Sequence, residues 1–346
     1  MECDILLDKK PLISVIIPNR NHSRYLGEAI ESALAQTYEN IEIIICDNCS
    51  TDNSLEVAMK YLDRGVIINK NPINIINNNY SVLASLATGK YFILLCADDI
   101  IKPSFIERAV SIMEEHSNIG YVHCERDYID ETGNITELDP FFNCSFISSG
   151  ESMLPIYMLT EVGQAAQALI RRTSFDLVGG HDTETNHANI DRELWFRLSM
   201  VSDYAYIREK MSFIRVHNSS ETANVTEYFV HPLSIYVMIK GFIEWAKIKN
   251  YQKVLEREKA CLNKLALEMV IAGTNHLRGG KISLAKQHIL FASIVDNSIV
   301  ENESYKKCLR IIDEGDLSVL DKSDIADNRI VFHTRNYDPP ENYIRL

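Results

Sequence analysis

Three short apolar runs, each stopped by polar residues, constrain this chain more than any other feature. They are Leu-Ile-Ser-Val-Ile-Ile-Pro (12–18), Ile-Glu-Ile-Ile-Ile-Cys (41–46) and Phe-Ile-Leu-Leu-Cys (92–96). Runs this short and this apolar read as strands buried on both faces. Between the first two, Leu26, Ala29, Ile30, Ala33 and Leu34 recur at helical spacing over 25–36. A second helix is expected over 55–62, behind a turn-rich segment offering several N-caps. A short strand follows over 66–69, then a helix over 80–87 with Gly89 as its C-cap. Six asparagines within 69–79 make that stretch a loop, because their side chains compete for backbone hydrogen bonds. Strand, helix, strand, helix, strand predicts an α/β fold: an open, mainly parallel sheet with helices on both faces.

Ligands of such sheets gather beyond the carboxyl ends of the strands. Here those ends carry Pro18-Asn19-Arg20-Asn21, Asp47-Asn48 and Asp98-Asp99. Neighbouring side chains on extended backbone point to opposite sides, so one carboxylate of the last pair can face a cleft while the other supports it. Two anions so close repel, and a divalent cation would relieve them. The alternative is a cap: Asp99 at the start of a helix near Pro103. Neither G-x-G-x-x-G nor G-x-x-x-x-G-K-[ST] occurs, so a dinucleotide fold and a P-loop lack support. The net charge of −13 argues against broad nucleic-acid binding, which needs a cationic surface. No uncharged apolar run reaches membrane-spanning length. The first residues lack a signal-peptide core, so a cytoplasmic location is expected. Peripheral membrane contact stays open. Eight scattered cysteines read as mostly buried, reduced thiols, Cys46-x-x-Cys49 included.

Ile-Ile-Pro-Asn-Arg-Asn (16–21), Ser-Ala-Leu-Ala-Gln-Thr-Tyr (32–38), Glu-Ile-Ile-Ile-Cys-Asp-Asn-Cys-Ser-Thr-Asp (42–52), Ala-Thr-Gly-Lys-Tyr (87–91) and Ala-Asp-Asp (97–99) come in this order. The series resembles the family 2 glycosyltransferases of GT-A fold, which commonly show I-I-P-T-Y-N, S-x-L-x-Q-T-Y, D-D-G-S-T-D, A-x-G-E-Y and D-x-D-D. The likeness continues through Gly-Gly-His-Asp (179–182), Ile-Asp-Arg-Glu-Leu-Trp-Phe-Arg-Leu (190–198) and Arg-Val-His-Asn-Ser (215–219), and covers roughly residues 10–220.

The resemblance implies an inverting transfer of a sugar from a nucleotide-diphospho donor, UDP-linked by expectation, to a hydroxyl of a glycan, lipid-linked or protein-linked acceptor. Pro18, Asn19 and Asn21 would shape the nucleotide pocket, and Asp47 would accept a hydrogen bond from the base. Asn79 would contact the nucleotide. Asp98 would bind ribose or metal-bound water, or join Asp99 in ligating Mn²⁺ or Mg²⁺. His217 would be a third ligand or a diphosphate contact, an isolated histidine being otherwise structural. Asp191 would be the general base, with a helix N-cap as its alternative role and Glu193 as the substitute base. Trp195, Glu193 and Gly180 would lie on the acceptor side. Three positions depart from the pattern: Cys96 replaces the first Asp of D-x-D, Asn48 the second of D-D-G-S, and Arg20 the usual Tyr.

The expected division is a catalytic domain over 1–230, with a nucleotide half (10–103) and an acceptor half (104–230), and a mainly helical region over 231–346. Helical patterns there cover 233–247, 253–273 and 281–295, with 296–346 weakly structured apart from a strand near 329–333. This region could carry homo-oligomerisation. Two rivals remain: a nucleotidyltransferase, disfavoured because no glycine-rich phosphate loop follows the first strand, and a non-catalytic binding module served by the helical region.

Overall fold

The computed structural model describes residues 10–75, 82, 84–181, 190–217, 229–315 and 336–346. The chain begins with β1 (Ile13–Asn19), α1 (Leu26–Leu34), β2 (Ile41–Asp47), α2 (Ser54–Met59), β3 (Ile67–Lys70), β4 (Tyr91–Leu94) and β5 (Ile100–Ile101). Next come α3 (Phe105–Glu115), β6 (Ile119–Ile129), β7 (Ile135–Thr136), β8 (Phe146–Ser148), α4 (Gly150–Leu159), β9 (Ala168–Arg171), α5 (Arg172–Leu177), α6 (Ile190–Ser199) and β10 (Asp203–Arg215). Then follow α7 (Val230–Lys249), α8 (Gln252–Leu255), α9 (Glu258–Arg278), α10 (Ile282–Val295), α11 (Glu303–Glu314) and β11 (Ile344–Arg345).

One sheet in the order β11-β8-β10-β6-β9-β4-β1-β2-β3 runs through the molecule. Its ladders β3-β2-β1-β4 and β6-β10 are parallel, whereas β9 runs antiparallel to both β4 and β6 and joins the two halves. The side-chain period of two divides each strand between two cores. Ile13, Val15 and Ile17 face one layer with Leu26, Ile30, Phe105 and Ile106. Ile16, Ile44 and Phe92 face the other, with α4, α6 and the C-terminal helices. That is why these runs are apolar throughout.

Several expectations are corrected. Gly89 is no helix C-cap: helix ends at Leu86, and a Cβ on Gly89 would stand 2.7 Å from the Ser14 amide nitrogen. Close approach of two backbone segments, not turn geometry, requires that glycine. Asp99 caps nothing, since α3 starts at Phe105 behind Ser104. The segment after 296 is not weakly structured throughout: it forms α11 and a strand that pairs with β8. Most of the expected helix over 80–87 and all of the 329–333 strand lie outside the described residues. Five of the seven described cysteines are buried.

Candidate active site

The strand ends bring the polar residues together as the register dictates. Asn19 on β1 stands opposite Asp47 on β2. Its side-chain amide donates to Asp47 Oδ1 at 2.8 Å, and the Ser50 amide donates to Asp47 Oδ2 at 3.1 Å. Asn21, at φ +57°, accepts from the Thr51 amide at 2.8 Å. Asp47 is 1% exposed, so its first task is to clasp two loops. Pro18 lies half-buried one residue before Asn19, and Arg20 is exposed, as a solvated side chain would be. Asn79 lies outside the described residues.

The exchange of an acid for Asn48 has a visible consequence. Its Oδ1 accepts from the Ile75 amide at 3.0 Å and from Asn71 at 3.3 Å, while its amide donates to Asn74 at 2.8 Å. A carboxylate could not make that last donation. Thus Asn48 folds the start of the asparagine-rich loop over the β2 end. The run of asparagines was the available signal for this.

Beyond β4 the chain turns, with the Asp99 amide donating to the Cys96 carbonyl at 3.1 Å. The two carboxylates diverge there. Asp99 is buried, and its Oδ1 accepts from the Arg215 amide at 2.9 Å. Burial, and secondly the charge of Asp98, push its pKa well above the usual carboxylate range. Asp98 instead reaches His217, whose Nε2 lies 2.9 Å from Asp98 Oδ2. The His217 ring is held by Tyr25 at 5.1 Å between ring centres. Burial, followed by the charges of Asp99, Asp98 and Asp191, keeps the Cys96 thiol protonated, so Cys96 does not restore the missing anion.

Arg215 fixes this corner. Its guanidinium donates to the Asp98 carbonyl (2.9 Å), the Asp130 carbonyl (3.0 Å) and Glu28 (2.7 Å), and lies over the Tyr25 ring. Because Arg215 ends β10, a strand more than a hundred residues later in the chain sets the position of the Asp pair.

Asp191 sits in the first turn of α6, and its Oδ2 accepts from the Ala165 amide at 3.0 Å. Its charge acts on the Cys96 thiol and on the Glu161 carboxyl. Glu161, which carries no sequence motif, is pushed up to about 8 by burial and then by Asp191. Glu193 is committed elsewhere, in a two-pronged pair with Arg197 at 2.5 Å per contact. Trp195 is corrected: it is fully buried, stacks on Tyr121 and donates to the Gly163 carbonyl at 2.8 Å. A ring with no exposed surface cannot line a binding cleft. Gly180, at φ +76°, closes the turn after α5 by donating to the Phe175 carbonyl at 3.0 Å.

Two overlapping sets of donors can hold a cation: Asp98 with His217 and His22, and Asp98 with Asp99 and Cys96. A carboxylate oxygen and an imidazole nitrogen 2.9 Å apart suit one divalent ion, since two ligands about 2.1 Å from it at a right angle stand about 3 Å apart.

Residues 14–178 match the family model described as glycosyl transferase family 2. An uncharacterized glycosyltransferase of Rickettsia typhi is 31% identical over 215 residues, which cover 61% of this chain and 66% of that protein. Chondroitin synthase of Escherichia coli is 26% identical over 225 residues, covering 63% of this chain and 30% of the synthase. The chain therefore spans less than two thirds of these curated relatives. Among solved structures, S. aureus TarS 1–349 in complex with UDP-GlcNAc superposes with a TM-score of 0.61 at 16% identity, over 88% of this chain and 92% of that one. That likeness concerns the fold, and it embraces the C-terminal helices as well as the sheet. Through residues 14–178, the chain belongs to glycosyl transferase family 2.

Proposed function

We propose that the protein transfers a sugar from a nucleotide-diphospho donor, UDP-linked, to a hydroxyl of a glycan acceptor, with inversion at the anomeric carbon. The observation that carries this reading is that Asp98 lies 2.9 Å from His217 just past the end of β4, and that the charge of Asp191 acts on Cys96, two residues before Asp98. The nucleotide assignment is supported by the fold it shares with TarS, whose solved complexes hold UDP-GlcNAc and UDP. Asn19, Asn21 and Asp47 would form the floor of the base pocket.

A divalent cation, Mn²⁺ or Mg²⁺, held by Asp98 and His217 would supply charge for the diphosphate leaving group. Asp191 takes the proton of the acceptor hydroxyl as its oxygen attacks the anomeric carbon. The bond from that carbon to the diphosphate oxygen breaks on the opposite face, and the nucleoside diphosphate leaves with the electron pair. The Ala165 amide keeps Asp191 oriented for this role. No covalent sugar–enzyme intermediate is needed, so the configuration inverts.

The test is a donor panel read by released nucleotide, with and without Mn²⁺. Asp191→Asn should lower kcat by about 10²- to 10⁴-fold, as loss of a general base does, while nucleotide affinity measured by calorimetry stays within a factor of about two. Nucleotide binding with no turnover of any donor by the wild type would instead favour a binding module.

A further inference from the structure

His22 precedes α1, in the loop that follows β1, and its carbonyl accepts from the Tyr25 and Leu26 amides at 2.9 Å each. The backbone is thereby anchored while the imidazole is left to another task. That ring stands edge-on to His217, 6.0 Å between centres. A ligand atom from each of His22, Asp98 and His217 lies within 4.8 Å of the other two. The Asp98–His217 contact already has the spacing of two ligands on one ion.

We propose that His22 is a metal ligand, so that the cation site is a two-histidine, one-carboxylate set, and that it favours late first-row divalent ions such as Co²⁺ and Ni²⁺ over Mg²⁺. The proposal rests on reading Asp98 and His217 as the cation site. Charge and ligand chemistry support it together. At the D-x-D position the chain offers a thiol at Cys96 in place of a carboxylate, and Asp99 is occupied with the Arg215 amide. A site so short of anions needs a further donor, and His22 is the residue whose ligand atom lies beside Asp98 and His217. Imidazole binds borderline ions well, whereas Mg²⁺ demands hard oxygen ligands and sheds water reluctantly. Three protein donors gathered on one side leave the remaining positions to the donor diphosphate.

The experiment uses the whole chain, stripped with chelator and without any nucleotide sugar. Calorimetric titration with Co²⁺, Ni²⁺ and Mg²⁺ is compared among wild type, His22→Ala and His22→Gln. The expected result is a site preferring Ni²⁺ and Co²⁺ over Mg²⁺, with affinity for both falling by roughly tenfold or more in each variant. With Mn²⁺ bound, the electron spin echo should show nitrogen modulation from two imidazoles in the wild type and one in His22→Ala. Equal Ni²⁺ affinity in wild type and variants, a preference for Mg²⁺, or a single coordinated imidazole in the wild type would each overturn the assignment. Thermal melts check folding, which should survive because the His22 carbonyl, not its ring, starts α1. A protein that binds Ni²⁺ through His22 yet turns over no donor would refute the transfer reading and keep the site. Turnover with metal binding indifferent to His22 would do the reverse.

Discussion

Glu161 keeps its proton up to a pH of about 8, against an ordinary value of 4.5, because burial penalises the carboxylate and Asp191 adds its charge. The folded state therefore binds a proton that the unfolded chain has already released across that window. Stability contributed by this group is complete below about 4.5, declines as pH rises, and is lost by about 8. Glu161→Gln, neutral at every pH, should flatten the decline. Melting temperatures of both proteins between about pH 5 and pH 9 check it, and parallel curves would show that Glu161 does not hold the proton. No local pattern pointed to this residue, since an isolated acid acquires its chemistry from the charges folded around it. Asp98, Asp191 and His217 were legible through their motifs. Which of the adjacent acids faces the histidine was not, because the turn after β4 decides it.

At the scale of elements, the short 3₁₀ segment Ala165–Gln167 delivers the amide that orients Asp191, and Gly163 starts its approach. Gly163 packs so tightly on β6 that a Cβ there would stand 2.6 Å from the His123 ring, which is buried beside Trp195. Gly163→Ala must push this segment off the ring. Turnover should fall on the order of 10²-fold, since displacing a positioned group by about 1 Å costs that much, while nucleotide affinity is unaltered. Equal losses of both would place the effect in global folding instead. The early strands and α1 could be read directly because their apolar period is local. By contrast, β6 to β10 alternate parallel and antiparallel neighbours, and nothing in a single strand's pattern states who its neighbour is.

For the whole molecule, the C-terminal helices share one core with α4 and α6. Helix α4 ends with carbonyls at Tyr157, Met158 and Leu159, which lack partners within their own helix. They accept from Arg192, from the Cys261 thiol and from Lys264, each at 2.5–2.6 Å. Two of those donors come from α9. Phe242 on α7 lies flat against Phe196 on α6, 3.6 Å between ring centres, within one continuous apolar core. Phe242→Ala should cost about 3–5 kcal/mol, read by denaturant unfolding, and a chain ended before α7 should aggregate when expressed. A soluble, cooperatively folding fragment would show that the two regions are separable.

By itself the sequence determined the sheet's first four strands, the acids at their ends and the family, since each depends on local period and motif. Only the tertiary structure decided that Trp195 is core, that Glu193 is spent on Arg197, and that Asp98 meets His217 and His22. Those outcomes depend on which distant segments share a space. Chain connectivity does not encode that until the two cores close around the sheet.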